Sequence, residues 1–164
     1  MDEMLFREMF LSVPEIDYTS GYHYFHGNME NYTQAILATL KSIKSKVPIL
    51  NSMYQTKEYA GLRTITQTLW SMLSNIGAAD LAESSYQLET AYLNWDDNEF
   101  RDLLDGYISS LYKFTVHLEE LLKKLDRRGS GSNTGEQVPF GNYDFTKTKE
   151  SIKLSTDFLE RKII

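Results

Sequence analysis

Cysteine is absent from the 164-residue chain. That single gap excludes a disulfide framework, a thiolate metal site and a cysteine nucleophile, and it suits a reducing cytoplasm, the expected location. Long apolar runs are missing too. Nowhere do about 18 uninterrupted apolar residues occur, so no membrane span and no membrane insertion are expected. The opening MDEMLFREMFL has acidic residues where a secretory signal would be basic, and Arg7 and Glu8 interrupt its apolar residues, so no export is expected. Basic residues are in deficit, 17 Lys and Arg against 23 Asp and Glu, for a formal net charge of −6. Such a balance supplies no general attraction to phosphate backbones, and nucleic acid is not an expected partner. Proline is scarce, three in all. Pro14 and Pro48 lie between segments of helical spacing and read as boundaries.

What remains has the proportions of one folded domain, 41% hydrophobic and 24% charged. Apolar residues recur at three- and four-residue steps along most of it. Asp2 to Ser12 sets Met4, Leu5, Met9 and Leu11 near one face of a short amphipathic helix. Asp17, with Thr19 and Ser20, offers N-cap chemistry for a short turn through Tyr22 and Phe25 that breaks at Gly27. Tyr32, Ile36, Leu40, Ile43 and Val47 form a core stripe. Between Thr56 and Ile76 a second stripe, Leu62, Ile65, Leu69, Met72, Leu73 and Ile76, leaves Arg63, Thr64, Gln67, Trp70, Ser71 and Ser74 on the other side, and Gly77 ends the helix. Leu81, Leu88, Ala91, Tyr92 and Trp95 make a third stripe. A fourth, the longest, covers about Asn98 to Asp126 with Phe100, Leu104, Tyr107, Leu111, Phe114, Leu118 and Leu125 in near-heptad order.

Four long stripes joined by short polar connections predict an all-α fold: an up-down-up-down antiparallel four-helix bundle over residues 1–126, with the short N-terminal helix capping one end. RRGSGSNTGEQ opens a flexible linker over 127–143. A helical tail, with Asp144 or Thr146 as its cap and Ile152, Phe158, Leu159 and Ile163 loosely on one side, is expected over 144–164.

The segment from Gln67 to Ala78, QTLWSMLSNIGA, resembles the signature helix of histidine-containing phosphotransfer domains, whose pattern runs His-x-Leu-Lys-Gly, a few small residues, then a closing Gly. Leu69, Asn75, Ile76, Gly77 and Ala78 match it in place. VPEIDYTSGYHYFHGNMENY is similar to the family's leading segment, and LAESSYQLETA to its following helix with the pair Leu88 and Glu89; the likeness covers about residues 13–125. The departures fall on the chemistry. Gln67 stands where the family has its phospho-accepting histidine, Trp70 where it has a lysine, and Ser71 where it has a glycine. Phosphoryl transfer to a histidine needs an unprotonated ring nitrogen as nucleophile, and an amide nitrogen, its lone pair delocalised into the carbonyl, is none.

The resemblance therefore implies a non-catalytic phosphotransfer domain. It would bind a response-regulator receiver domain or a histidine kinase in two-component signalling without carrying phosphate, through Arg63, Thr64, Gln67, Trp70, Ser71 and Ser74. Two alternatives stand beside it: an active phosphotransferase using a different histidine, and a structural module acting in cis or self-associating through its C-terminal tail. Of the histidines, His117 is expected to pair with Glu120 one turn on. His23 and His26 have no third ligand nominated for a metal. Lys41, Lys44 and Lys46 read as a solvated basic face. No metal, cofactor or catalytic residue is expected, since no Gly-rich phosphate loop, paired-carboxylate site or nucleophile triad is visible.

Overall fold

The computed structural model describes residues 1–93 and 97–129. Trp95, the side chain of Tyr92, the predicted linker beyond its first three residues and the tail over 144–164 lie outside the described residues. The described fold is all-α: α1 (Glu3–Met9), a 3-10 turn (Phe10–Ser12), α2 (Tyr18–Tyr24), α3 (Met29–Gln55), α4 (Tyr59–Asn75), α5 (Ala79–Leu93) and α6 (Asp97–Gly129). No helix among the described residues is long and apolar enough to cross a membrane.

Local chemistry starts and stops these helices. The side chains of Asp2, Asp17 and Asn28 accept the first free backbone N–H groups of α1, α2 and α3, at 3.0, 3.0 and 2.9 Å. Three helices end in the same left-handed reversal, at His26 after α2 (φ 54°), Lys57 after α3 (φ 59°) and Gly77 after α4 (φ 91°). In each, the next residue donates back five positions: Gly27 to Tyr22 (3.0 Å), Glu58 to Met53 (2.8 Å) and Ala78 to Leu73 (2.9 Å). Only Gly77 is free of a Cβ, and it must be, because a Cβ there would strike the Asp17 carbonyl oxygen.

Pro48 is not a boundary. It lies inside α3, which continues to Gln55. The ring projects toward solvent, whereas the apolar stripe resumes in phase beyond it, with Val47 and Leu50 buried and Met53 and Tyr54 packed on the core. That burial, at about 1.5–3 kcal/mol for a fully buried aliphatic side chain, offsets the backbone hydrogen bond the proline cannot make. The last helix likewise extends three residues into the predicted linker, to Gly129.

The N-terminal helix packs on a different face from the one expected. Phe6, Met9 and Phe10 are buried, while Met4, Leu5 and Leu11 are exposed. The reason is aromatic. Phe6 and Phe10 meet edge to face at 5.2 Å, Phe10 stacks on Tyr32 at 5.3 Å, and Phe25 stacks on the same ring at 5.6 Å. Tyr18 and Tyr22 complete the cluster. The Tyr32 hydroxyl donates to the Ile76 carbonyl at 2.8 Å. Burial, then the neighbouring Tyr18 and Asp17, holds that hydroxyl far above the usual tyrosine range.

Of the long helices, α4 packs on α3 and α5, and α6 packs on the same two, with α1 and the 3-10 turn against α6. The core runs through all of them. From α6 alone it takes Phe100, Leu104, Tyr107, Ile108, Leu111, Phe114, Leu118, Leu121, Leu122 and Leu125. Polar ties cross it as well. Ser85 and Tyr107 share a hydrogen bond of 2.6 Å. Lys44 meets Glu119 at 2.8 Å with both side chains largely buried. The predicted basic face is thus dispersed: Lys44 joins α3 to α6, Lys46 bonds the Ser42 hydroxyl at 2.8 Å, and Lys41 is exposed.

Candidate functional site

Helix α4 has two unlike sides. Leu62, Ile65, Leu69, Leu73 and the capping Ile76 are buried. Arg63, Thr64, Gln67, Trp70, Ser71 and Ser74, the six residues predicted as a docking face, are all exposed. The 3.6-residue period separates the two sets, and the second is left facing outward because the first fills the space toward α3 and α5. Trp70 is 44% exposed. A tryptophan so placed leaves a large apolar surface in water, the kind of residue that dominates binding hot spots.

Two of the six are tied to the neighbouring helix. The Gln67 amide Nε2 donates to Oε1 of Glu89 at 2.7 Å, and the Arg63 guanidinium Nε lies 3.3 Å from that same oxygen. Glu89, on α5 with its side chain 19% exposed, therefore ties α4 to α5 and offsets the Arg63 charge. Thr64 is bonded to its own helix, its hydroxyl donating to the Ala60 carbonyl at 2.9 Å.

The chain reverses between α4 and α5 in three residues, Ile76 to Ala78, and the two helices pack side by side. With Gln67 opposite Glu89, Tyr86 falls one turn along α5 at the level of Trp70, which lies one turn along α4 in the opposite sense. Tyr86 is 49% exposed. Two large aromatic residues thus flank one stretch of the α4–α5 seam. Sequence reading missed Tyr86 and the role of Glu89. The signal was present in the period of α5, where Tyr86 lies off the Leu81, Ser85 and Leu88 stripe and Glu89 lies on its edge.

The histidines do not join this seam's network. His117 pairs with Glu15, not with Glu120: its Nδ1 lies 2.6 Å from the Glu15 carboxylate, which belongs to the segment before α2. A contact between residues 102 positions apart depends on how α6 meets the N-terminal segment, which helical spacing does not encode. His23 is on α2 and His26 in its C-terminal reversal, both exposed. Among the described residues no three His, Cys, Asp or Glu side chains are grouped so as to hold a metal ion.

Comparison with family models, curated proteins and solved structures finds no match to the chain.

Proposed function

We propose that the chain is a phosphotransfer-like binding domain: a protein that docks a receiver domain or kinase partner of a two-component system through the α4–α5 seam and passes no phosphate. The long helices form, in this reading, an up-down-up-down antiparallel four-helix bundle. That arrangement is supported by the neighbour relations of α3 with α4, α4 with α5, α5 with α6, and α6 with α3.

The observation that carries the proposal is the α4 face itself. Where the resembled family would present a nucleophilic imidazole, Gln67 presents an amide already bonded to Glu89, and one turn on stands an exposed Trp70. A carboxamide held by a carboxylate has no chemistry to offer a phosphoryl group. An outward tryptophan, with Tyr86 exposed at the same level of the neighbouring helix, offers contact area. The mechanism is occupancy: the domain competes for, or scaffolds, the surface that an active phosphotransfer domain would use. Specific interfaces bury roughly 800 Å² per partner, and transient signalling contacts bury less.

The test is a titration of the chain and of Trp70→Glu against receiver domains of the source organism, followed by calorimetry. Binding by the parent that the variant loses by tenfold or more supports the proposal. Parent and variant binding alike would remove the α4 face from it. Transfer of phosphate from a phosphorylated receiver to the chain would replace it with an active phosphotransferase working through another histidine.

A further inference from the structure

Helices α4 and α5 carry one cation between them, Arg63, against three carboxylates, Asp80, Glu83 and Glu89. Asp80 and Glu83 are exposed. Arg63 is committed to Glu89 at 3.3 Å, and the same carboxylate oxygen takes the Gln67 amide at 2.7 Å. The position that would face a phosphoryl group one turn farther on is Trp70, whose only polar group is a single indole N–H.

From these observations we infer that the α4–α5 seam binds its receiver partner in the unphosphorylated state, and that phosphorylation of the receiver's acceptor aspartate weakens the complex. The inference rests on the receiver reading above and adds a direction of regulation to it.

A phosphoryl group at an interface brings roughly −1.5 to −2 charges near neutral pH and three acceptor oxygens, and it is favourable only where donors and positive charge meet it. Like charge and desolvation act against it elsewhere. On this seam the Arg63 charge is already offset by Glu89, so a phosphate that reaches the exposed end of the guanidinium settles beside that carboxylate and meets an ion pair of no net charge. Asp80 and Glu83 are exposed elsewhere on α5, a helix without a cation to offset them. An unmodified partner surface meets none of these penalties and gains the apolar area of Trp70 and Tyr86. The domain would then hold receivers that have not been phosphorylated and release them as they become so.

The experiment is a titration of the full chain against one receiver domain with magnesium, first alone and then loaded with beryllofluoride as the aspartyl-phosphate mimic. A loaded receiver is expected to bind at least about fivefold more weakly, the lower end of typical coupling between linked events. Glu89→Gln keeps an acceptor for Gln67 but releases Arg63 from its ion pair, so it should narrow that ratio toward one. Equal or tighter binding of the loaded receiver by the parent overturns the inference and leaves the receiver reading standing. No binding of either form overturns both. A ratio unchanged in Glu89→Gln refutes the assignment of the discrimination to the Arg63–Glu89 pair.

Discussion

Gly77 is the residue on which the docking of the N-terminal segment turns, and replacing it with alanine tests that arrangement directly. Its φ of 91° is one that L residues rarely adopt. A side chain in the left-handed region costs about 1–2 kcal/mol. The added Cβ also points at the Asp17 carbonyl oxygen, so the segment before α2 must move. Moving it stretches the hydrogen bond from the Asp17 N–H to the Gly77 carbonyl, now 2.9 Å. A net hydrogen bond contributes about 1 kcal/mol. Gly77→Ala is therefore expected to destabilise by about 2–3 kcal/mol, a drop of roughly 6–10 °C in Tm for a domain of this size. The control has the opposite sign. Gly106 lies in the interior of α6 with nothing within 4 Å of an added Cβ, and Gly106→Ala should stabilise by about 0.5–1 kcal/mol. Urea unfolding followed by circular dichroism measures both. A Gly77→Ala variant within about 0.5 kcal/mol of the parent would refute the account of how α4 ends and what it holds, at the scale of an ordinary surface change.

Alkaline pH should unfold the chain through its buried tyrosines. Burial pushes Tyr107 up to about 12, with the Ser85 hydrogen bond pulling weakly the other way, and pushes Tyr18 up to about 12, aided by Tyr22 and Glu3. The unfolded state loses these protons near pH 10 and the folded state does not, so the stability they lend is complete below pH 10 and is lost as pH rises from about 10 to 12; Tyr107→Phe should flatten that decline in urea titrations. Lys44→Met removes the ammonium that meets the largely buried Glu119 and should cost about 3 kcal/mol, most of it recovered when Glu119→Leu is added. Trp70→Glu should change stability by no more than about 0.5 kcal/mol, because the ring is already 44% exposed; a larger loss would mean that Trp70 is a packing residue.

What could be read in advance was whatever follows from local rules. The cap at Asp17, the reversal at Gly77 and the long stripe of α6 depend on residues within a turn or two, and each is present. So is the outward set on α4, since a 3.6-residue period that defines a buried side defines its opposite as well. The misreadings share one cause, which is tertiary. Pro48 breaks helices locally, but Leu50 and the residues after it bury enough to carry α3 onward. The first eleven residues are apolar on two sides. Which side turns inward is decided by Tyr18, Tyr22, Phe25 and Tyr32, not by the helix itself. His117 finds Glu15 across the fold where spacing offers Glu120. The clamp on Gln67 and Arg63 was hidden for the same reason, because Glu89 reaches them only through the register of α5 against α4.

That clamp and the Gly77 reversal act on the same helix from two points, and together they bear on how the α4 face binds. The C-terminal end of α4 is held by the Asp17 N–H on the Gly77 carbonyl and the Tyr32 hydroxyl on the Ile76 carbonyl, at 2.9 and 2.8 Å. Its outward side is held to α5 at Arg63 and Gln67. Trp70, between these anchors, is therefore carried on backbone that has little left to lose on association. Ordering a mobile side chain at an interface costs about 0.5–1.5 kcal/mol and ordering a loop costs more, so a face already fixed on both sides keeps more of its contact energy as affinity. On this reasoning Gly77→Ala should weaken partner binding as well as stability, and more than Gly106→Ala shifts it in either direction. The comparison is made at a temperature where all three proteins are fully folded, so that a difference in affinity reports the mobility of α4 and not the fraction unfolded. If the three affinities agreed, α4 would be rigid without its N-terminal anchor, and the α5 clamp alone would set the face.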